Sequence, residues 1–202
     1  MYRGFGEMNI IEQAIPQPIF NDIKTEIFSD NFPWFFVDST AYEDDKTNLP
    51  ETYSFFHTAI NKGKRNSPLA DKIIMPILMA LGVTTEKSVE IFRIRLGLIT
   101  PKTRVIVHGP HVDQWFDHMS ALLYLNDCNG DTYFYNEYYD PKSNMSSNDY
   151  YKKVLNSQMT IQKLVAPKEN TLVCFDGFQY HSSSTPTDVA RRVVVNINYT
   201  VK

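Results

Sequence analysis

The chain has 202 residues, a formal net charge of −3, 43% apolar side chains and 21% charged side chains. This length and apolar content suffice for one domain with a buried core, and 13 Phe and 12 Tyr exclude a disordered chain. The near balance of charges argues against a nucleic-acid-binding protein, and no window is apolar enough to span a membrane. The chain has only two cysteines, Cys128 and Cys174, which suits a reducing compartment, so we expect a cytoplasmic protein. We expect neither nucleic acid nor a membrane as its partner.

Two amphipathic helices are predicted in the first part of the chain. The first covers residues 16–29, where apolar residues recur at spacings of three and four. The second begins at Ser67, which suits a helix cap before Pro68, and ends at Gly82, which can adopt the left-handed conformation. We expect residues 1–88 to be a helical N-terminal region that supports the rest of the same domain.

From residue 89 onward, short runs rich in Val, Ile, Tyr and Phe alternate with Gly, Pro, Asn and Asp. Regularly spaced short strands are typical of a sandwich or barrel, and eight of them suit a jelly roll. The predicted fold is mostly β, with a double-stranded β-helix over residues 89–202 and the N-terminal helices packed on one sheet. The predicted strands are VEIFRIRLGLI, TRVIVHG, HMSALLYLN, DTYFYNE, QMTIQKLVA, TLVCFD, QYHSSS and RRVVVNINYTV.

The segment over residues 138–156 interrupts this regular spacing. It is polar, contains four tyrosines and is too long for an ordinary hairpin. We predict that it is a lid over a substrate, because loops on a rigid scaffold often carry recognition. An ordered excursion packed on the helices is the alternative.

His111 is the one histidine of five that has a carboxylate two residues later, at Asp113. In an extended segment these side chains point to the same side and can bind one ion. His181, far downstream between two predicted strands, is the candidate third ligand. Two imidazoles and a carboxylate are typical of non-haem Fe(II) sites that bind a co-substrate and dioxygen, but zinc hydrolases use similar ligands. The residues alone predict a metal site and leave the metal open.

The order of motifs around these residues is more specific than any one of them. Asp113 is followed by ALLYLN, the turn NGDT, the turn PKEN before TLVCFD, GFQYH with His181, and a strand that opens with two arginines. As a set, residues 89–200 resemble the prolyl-4-hydroxylase-like branch of the Fe(II)- and 2-oxoglutarate-dependent dioxygenases. Asn129 and Asn170 replace glycines of the family pattern, and both turns should form because Asn tolerates the left-handed conformation.

The resemblance implies that Fe(II) binds to His111, Asp113 and His181, with 2-oxoglutarate and O2 as co-substrates and ascorbate as a reductant in vitro. It implies an enzyme that hydroxylates a C–H bond, releasing succinate and CO2. The substrate is a peptide or protein side chain, with proline as one option, or a small molecule. No catalytic side chain beyond the metal ligands is expected.

The resemblance also implies that Arg191 or Arg192 binds the distal carboxylate of 2-oxoglutarate. Strand alternation places Arg192 on one face with Asn196 and Asn198, whereas Arg191 lies on the apolar face that would cover the helices. We therefore predict Arg192 as the anchor, with Arg191 as the alternative. Ser120 is expected near the same carboxylate.

A non-enzymatic jelly-roll module, used for binding or as a structural unit, is the alternative to an oxygenase, because this fold hosts many unrelated tasks. Such a module gives no reason for a His-x-Asp motif to occur together with an arginine after the distal histidine. The oxygenase is therefore the preferred interpretation.

Overall fold

The structure is a computed structural model that describes residues 8–41, 52–83, 88–143, 154 and 158–201. Within these residues the chain forms two helices and eleven strands, and neither helix approaches the roughly 20 residues that a membrane span needs. The elements are β1 (Asn9–Ile11), α1 (Gln17–Ile27), β2 (Phe35–Val37), β3 (Ser54–Asn61), β4 (Lys64–Arg65), α2 (Leu69–Ala80), β5 (Val89–Ile99), β6 (Met119–Tyr124), β7 (Thr132–Tyr138), β8 (Ile161–Val165), β9 (Thr171–Asp176), β10 (Gln179–Ser183) and β11 (Arg192–Val201).

Two antiparallel sheets form the predicted jelly roll. The larger sheet has the order β1-β9-β6-β11-β5-β3-β2, with β4 paired to the end of β3, and the smaller sheet has the order β10-β7-β8. Apolar side chains from both sheets fill the space between them and include Leu122, Tyr124, Phe134, Val165 and Val194. The mostly β fold class predicted from the sequence is thereby confirmed.

Both helices cover the outer face of the larger sheet, as predicted. Their apolar stripes and the outward side chains of β5, β6, β9 and β11 form one buried cluster, which is the main core of the protein. Gly82 follows α2 in the left-handed conformation, with φ at 64°. The core residues that represent α1, α2 and β11 are Phe20, Ile23, Ile27, Ile73, Ile77, Val193, Val195 and Ile197.

The region before residue 88 contributes strands as well as helices, which the sequence did not predict. β3 pairs with β5 over most of its length, and β1 pairs with β9 at the other edge of the larger sheet. The run SFFHTAIN of β3 is buried without strict alternation, because parts of both its faces contact protein. A period of two is therefore hard to detect there.

One of the eight predicted strands does not form. The run TRVIVHG makes only an isolated bridge, in which Val107 pairs with Ser184. Ile106 bonds instead to both the backbone and the hydroxyl of Thr185, at 3.0 and 2.9 Å. Side-chain bonding of this kind replaces a regular ladder, so this run is a loop that docks beside the end of β10.

Both asparagines that replace glycines are accommodated. Asn170 is left-handed, with φ at 56°, and its side chain bonds to the backbone N–H and carbonyl of Ile15. Asn129 does not adopt the left-handed conformation, and its side chain bonds to Thr187, at 2.7 and 2.8 Å. Gly130 next to it is tightly packed, since an added Cβ would lie 2.9 Å from the carbonyl oxygen of Ser184.

The segment predicted as a lid falls mostly outside the described residues, which omit 144–153 and 155–157. Its residue Val154 is buried in a cluster with Val112, Tyr135 and Tyr180. The lid and the ordered excursion both stay predictions.

Candidate metal centre

The structure brings His111, Asp113 and His181 together. One potential ligand atom from each lies within 4.8 Å of the others. His111 and Asp113 come from the loop between β5 and β6, whereas His181 comes from β10 of the smaller sheet. Val112 between the first two points the other way, into the cluster with Tyr135. The alternation expected for an extended His-x-Asp segment is therefore present.

Both imidazoles are oriented by the same kind of backbone contact. The Nδ1 of His111 lies 3.1 Å from the carbonyl oxygen of Gly109, and the Nδ1 of His181 lies 3.1 Å from that of Gln179. A carbonyl oxygen only accepts, so Nδ1 carries the proton and Nε2 keeps its lone pair in each neutral ring. Metal-ligating histidines are commonly held in this way.

Four side chains of the larger sheet hold the Asp113 carboxylate, and we call them the Asp113 cradle. Arg93 of β5, Asn198 of β11 and Ser120 of β6 occupy one register row across three adjacent strands. Arg93 donates to Oδ1 at 2.6 Å, and Ser120 and Asn198 each donate to Oδ2 at 3.0 Å. Asn196 completes the cradle by donating to both oxygens, at 3.0 and 3.1 Å.

The electrostatic surroundings favour the protonation states that bind a cation. Burial acts to raise the pKa of Asp113, but the charge of Arg93, and after it those of the two imidazoles when they are protonated, outweigh burial and hold that pKa well below its usual value. Burial, assisted by His181, lowers the pKa of His111 to about 4. At neutral pH the carboxylate is ionised and His111 is neutral, as a divalent cation requires.

A cavity of about 100 Å³ joins these three residues to Arg192. Arg192 is buried, and its guanidinium donates to the carbonyl oxygen of Gly130 at 2.8 Å and to Oγ1 of Thr132 at 2.9 Å. Among the described residues no carboxylate forms an ion pair with it. Burial lowers its pKa. Because a buried cation without a counter-ion is unfavourable, this end of the cavity favours an anionic ligand.

Arg191 lies on the opposite face of the strand. Its guanidinium is 4.3 Å from the ring centroid of Phe28, at the end of α1. The register of β11 therefore places Arg192, and not Arg191, in the cavity. The role of Arg192 as the anchor of 2-oxoglutarate stays a prediction.

Ser120 does not lie beside Arg192. It is opposite Asn198 in the sheet, and 198 − 192 gives six residues, or about 20 Å along β11. Its hydroxyl donates to Asp113 instead. The role implied for Ser120 by the resemblance is thus corrected, since the register of β6 against β11 places it with the metal-ligand candidates.

A larger groove, of about 1020 Å³, adjoins the cavity. The two share Thr40, Phe56 and Arg95, and the guanidinium of Arg95 lies over the ring of Phe56 at 4.5 Å. The groove follows the edge formed by β2 and β3 and the start of α2. Its volume is of the size that small-molecule sites have.

Arg93 is a site residue that the sequence did not reveal. In VEIFRIRLGLI the residues Arg93 and Arg95 share a face with Gly97 and Ile99, whereas the other face is apolar from Phe92 onward. The alternation that distinguished Arg192 from Arg191 marks this face of β5 as polar too. It could not identify the partner, because Asp113 lies in the loop after β5 and strand alternation does not tell where that loop folds back.

Comparisons of the sequence give no match to a family model or to a curated protein. Comparisons of the structure do give matches. An oxidoreductase of the 2OG-Fe(II) oxygenase family from Burkholderia pseudomallei has a TM-score of 0.60 and 12% identity, over 96% of this chain and 85% of that chain. The alpha-ketoglutarate-dependent epimerase SnoN from nogalamycin biosynthesis has a TM-score of 0.64 and 12% identity, over 96% and 78%.

HygX from Streptomyces hygroscopicus, with nickel and 2-oxoglutarate bound, has a TM-score of 0.59 and 10% identity, over 95% of this chain and 82% of that chain. HygX has also been solved with hygromycin B, and SnoN with Fe3+, alpha ketoglutarate and nogalamycin RO. At these identities the similarity shows a shared fold.

Proposed function

We propose that this chain is an Fe(II)- and 2-oxoglutarate-dependent dioxygenase. The observation that carries this conclusion is the cavity that joins His111, Asp113 and His181 to the buried Arg192. Further support comes from the shared fold of SnoN and HygX, whose structures hold Fe3+ or nickel together with the co-substrate.

His111, Asp113 and His181 fit the metal by donor type. Two imidazoles and a carboxylate form the ligand set that non-haem Fe(II) prefers, and they leave positions for a co-substrate and dioxygen. When bound, Fe(II) supplies the redox chemistry that couples conversion of 2-oxoglutarate and O2 into succinate and CO2 to hydroxylation of a substrate C–H bond. The part of the protein is to orient the ligands and to exclude water from the cavity.

Arg192 fits the distal carboxylate of 2-oxoglutarate. Its contacts with Gly130 and Thr132 fix the guanidinium plane before a ligand arrives, which lowers the entropy lost on binding. Two parallel N–H groups on one planar fork match the two oxygens of a carboxylate. A charge-assisted pair in this buried place would also supply the missing counter-ion.

We propose a small molecule as the substrate, entering through the larger groove and passing Phe56 and Arg95. Support comes from HygX and SnoN, which were solved with hygromycin B and nogalamycin RO. A peptide substrate and the prolyl-4-hydroxylase-like branch rest on the sequence motifs alone. Because SnoN is an epimerase, hydroxylation is the part of the proposal that product analysis must test.

The deciding experiment is anaerobic loading with Fe(II), followed by addition of 2-oxoglutarate, ascorbate and O2. We expect succinate to form slowly without substrate, and faster when a metabolite panel includes the true one. Mass spectrometry of that metabolite would show a gain of one oxygen atom. The absence of both metal binding and succinate would favour a non-enzymatic jelly-roll module.

A cytoplasmic location also stays a prediction, and the free thiols of Cys128 and Cys174 are compatible with it.

A further inference from the structure

Asp113 lies on a loop that regular strand pairing does not hold. The bridge between His111 and His181 fixes the first histidine, but Asp113 comes two residues after it. Its carboxylate is nevertheless buried and bonded to four side chains of the larger sheet. Its position therefore depends on the Asp113 cradle rather than on its own backbone.

Arg93 differs from the other members of the cradle because it is charged. The three uncharged members already donate to Asp113, and Arg93 adds an ion pair with a permanently charged group, with 11% of its side chain exposed against 4% for Asp113. A buried carboxylate without a cation is unfavourable, so an unpaired Asp113 would gain by turning toward solvent. In the protein without a metal, Arg93 is the cation that opposes this movement.

We propose that Arg93 is a positioning residue for the metal site, and this inference rests on the proposed function. Arg93 holds Oδ1 at 2.6 Å, while Oδ2 faces the second histidine, with 3.7 Å between it and Nε2 of His181. It thus keeps the carboxylate in its ligand position before an ion arrives. The positive charge also repels an incoming cation, but we infer that orientation of the buried carboxylate is the larger effect.

The test uses Co(II) alone, which has visible absorption bands that report its ligands. Titration of the metal-free chain should show that Arg93→Met weakens Co(II) binding by about tenfold to hundredfold, the usual cost of losing a partner of a metal ligand. The matched control is Arg191→Met, which removes an arginine from the opposite face. It should bind Co(II) with the native affinity and spectrum.

A structural defect is separated from a positioning role by chemical rescue. Arg93→Ala should bind Co(II) weakly, and added methylguanidinium should restore the native spectrum by occupying the vacated place. Should these variants fail to fold, Arg93→Lys keeps the charge without the planar fork and should bind Co(II) at least about fivefold more weakly than the native chain.

Native affinity in Arg93→Met, tighter binding in that variant, or a weak Arg93→Ala site that methylguanidinium leaves unchanged would each overturn the inference. Native affinity in Arg93→Lys would do the same if that variant has to carry the test. A native chain that binds no Co(II) is a different result, because it rejects the proposed function itself.

Discussion

The backbone N–H groups of His111 and His181 each donate to the carbonyl oxygen of the other, at 3.0 Å in both directions. This reciprocal pair is the hydrogen-bonded type of antiparallel pairing, in which two residues directly opposite each other point their side chains to the same side. Their ring centroids are 4.6 Å apart as a result. Two candidate ligands separated by 70 residues are thus aligned by backbone geometry. The third, Asp113, is held beside them by the Asp113 cradle.

The Asp113→Asn substitution should abolish metal retention, because an amide has no charge to offer a cation. It should also lower the free energy of unfolding by about 3–5 kcal/mol, since Arg93 would be left buried without its carboxylate. Metal analysis after gel filtration and urea unfolding measure the two effects. The double variant Arg93→Met, Asp113→Asn should regain most of the stability but no metal. Unchanged metal content in the single variant would remove Asp113 from the ligand set.

Arg192→Met should weaken binding of 2-oxoglutarate by about 2–5 kcal/mol, because the variant buries a carboxylate without its cation. Arg191→Met should leave the affinity near native, since Arg191 packs over Phe28 outside the cavity. Calorimetry with 2-oxoglutarate and the redox-inert Ni(II) measures both. The reverse order of effects would show that Arg191 is the anchor.

His108 should make the fold sensitive to acid. Burial lowers its pKa from 6.5 to about 3, with the charge of Arg192 as a second cause. The unfolded chain takes up this proton near pH 6.5 and the folded chain does not, so the stability due to neutral His108 is present above pH 6.5 and is lost as the pH falls toward 3.

Unfolding free energies of the native chain and of His108→Gln test this at about pH 7.5 and about pH 5. The loss of unfolding free energy between the two pH values should be about 2 kcal/mol smaller in the variant. At pH 5 the native chain is about 1.5 pH units below 6.5, each unit costs about 1.4 kcal/mol, and the variant lacks the titrating group. Equal losses in the two proteins would show that His108 is not kept neutral by the fold.

Asn170 should be required for its turn in two separable ways. Asn170→Ala loses both bonds to Ile15 and puts at a φ of 56° a residue that tolerates this conformation less well than Asn, so the free energy of unfolding should fall by about 2–4 kcal/mol. Asn170→Gly loses the same bonds but tolerates this φ, and should be the more stable variant. Thermal and urea unfolding of the three proteins give the order, and equal stability of the two variants would contradict a backbone contribution.

Local patterns accounted for most of the elements after residue 89. Seven of the eight predicted runs coincide with β5 to β11 to within three residues at each end, because half-buried strands repeat with a period of two. TRVIVHG has the same composition but forms a loop, since side-chain bonds to Thr185 replace the ladder. The strands before residue 88 were missed for the opposite reason, because β3 is partly covered on both faces and shows no clear period.

The residues of the candidate site also differ in whether local sequence patterns could identify them. The sequence alone determined that His111 and Asp113 point to one side and that Arg192 faces away from the helices, because alternation in an extended chain is a local property. The pairing of Arg93 with Asp113, and the place of Ser120 beside that carboxylate instead of beside Arg192, came only from the tertiary structure. These contacts depend on β5, β11 and β6 being neighbours in one register. Strand order is set by packing between distant segments, and no spacing along the chain encodes it.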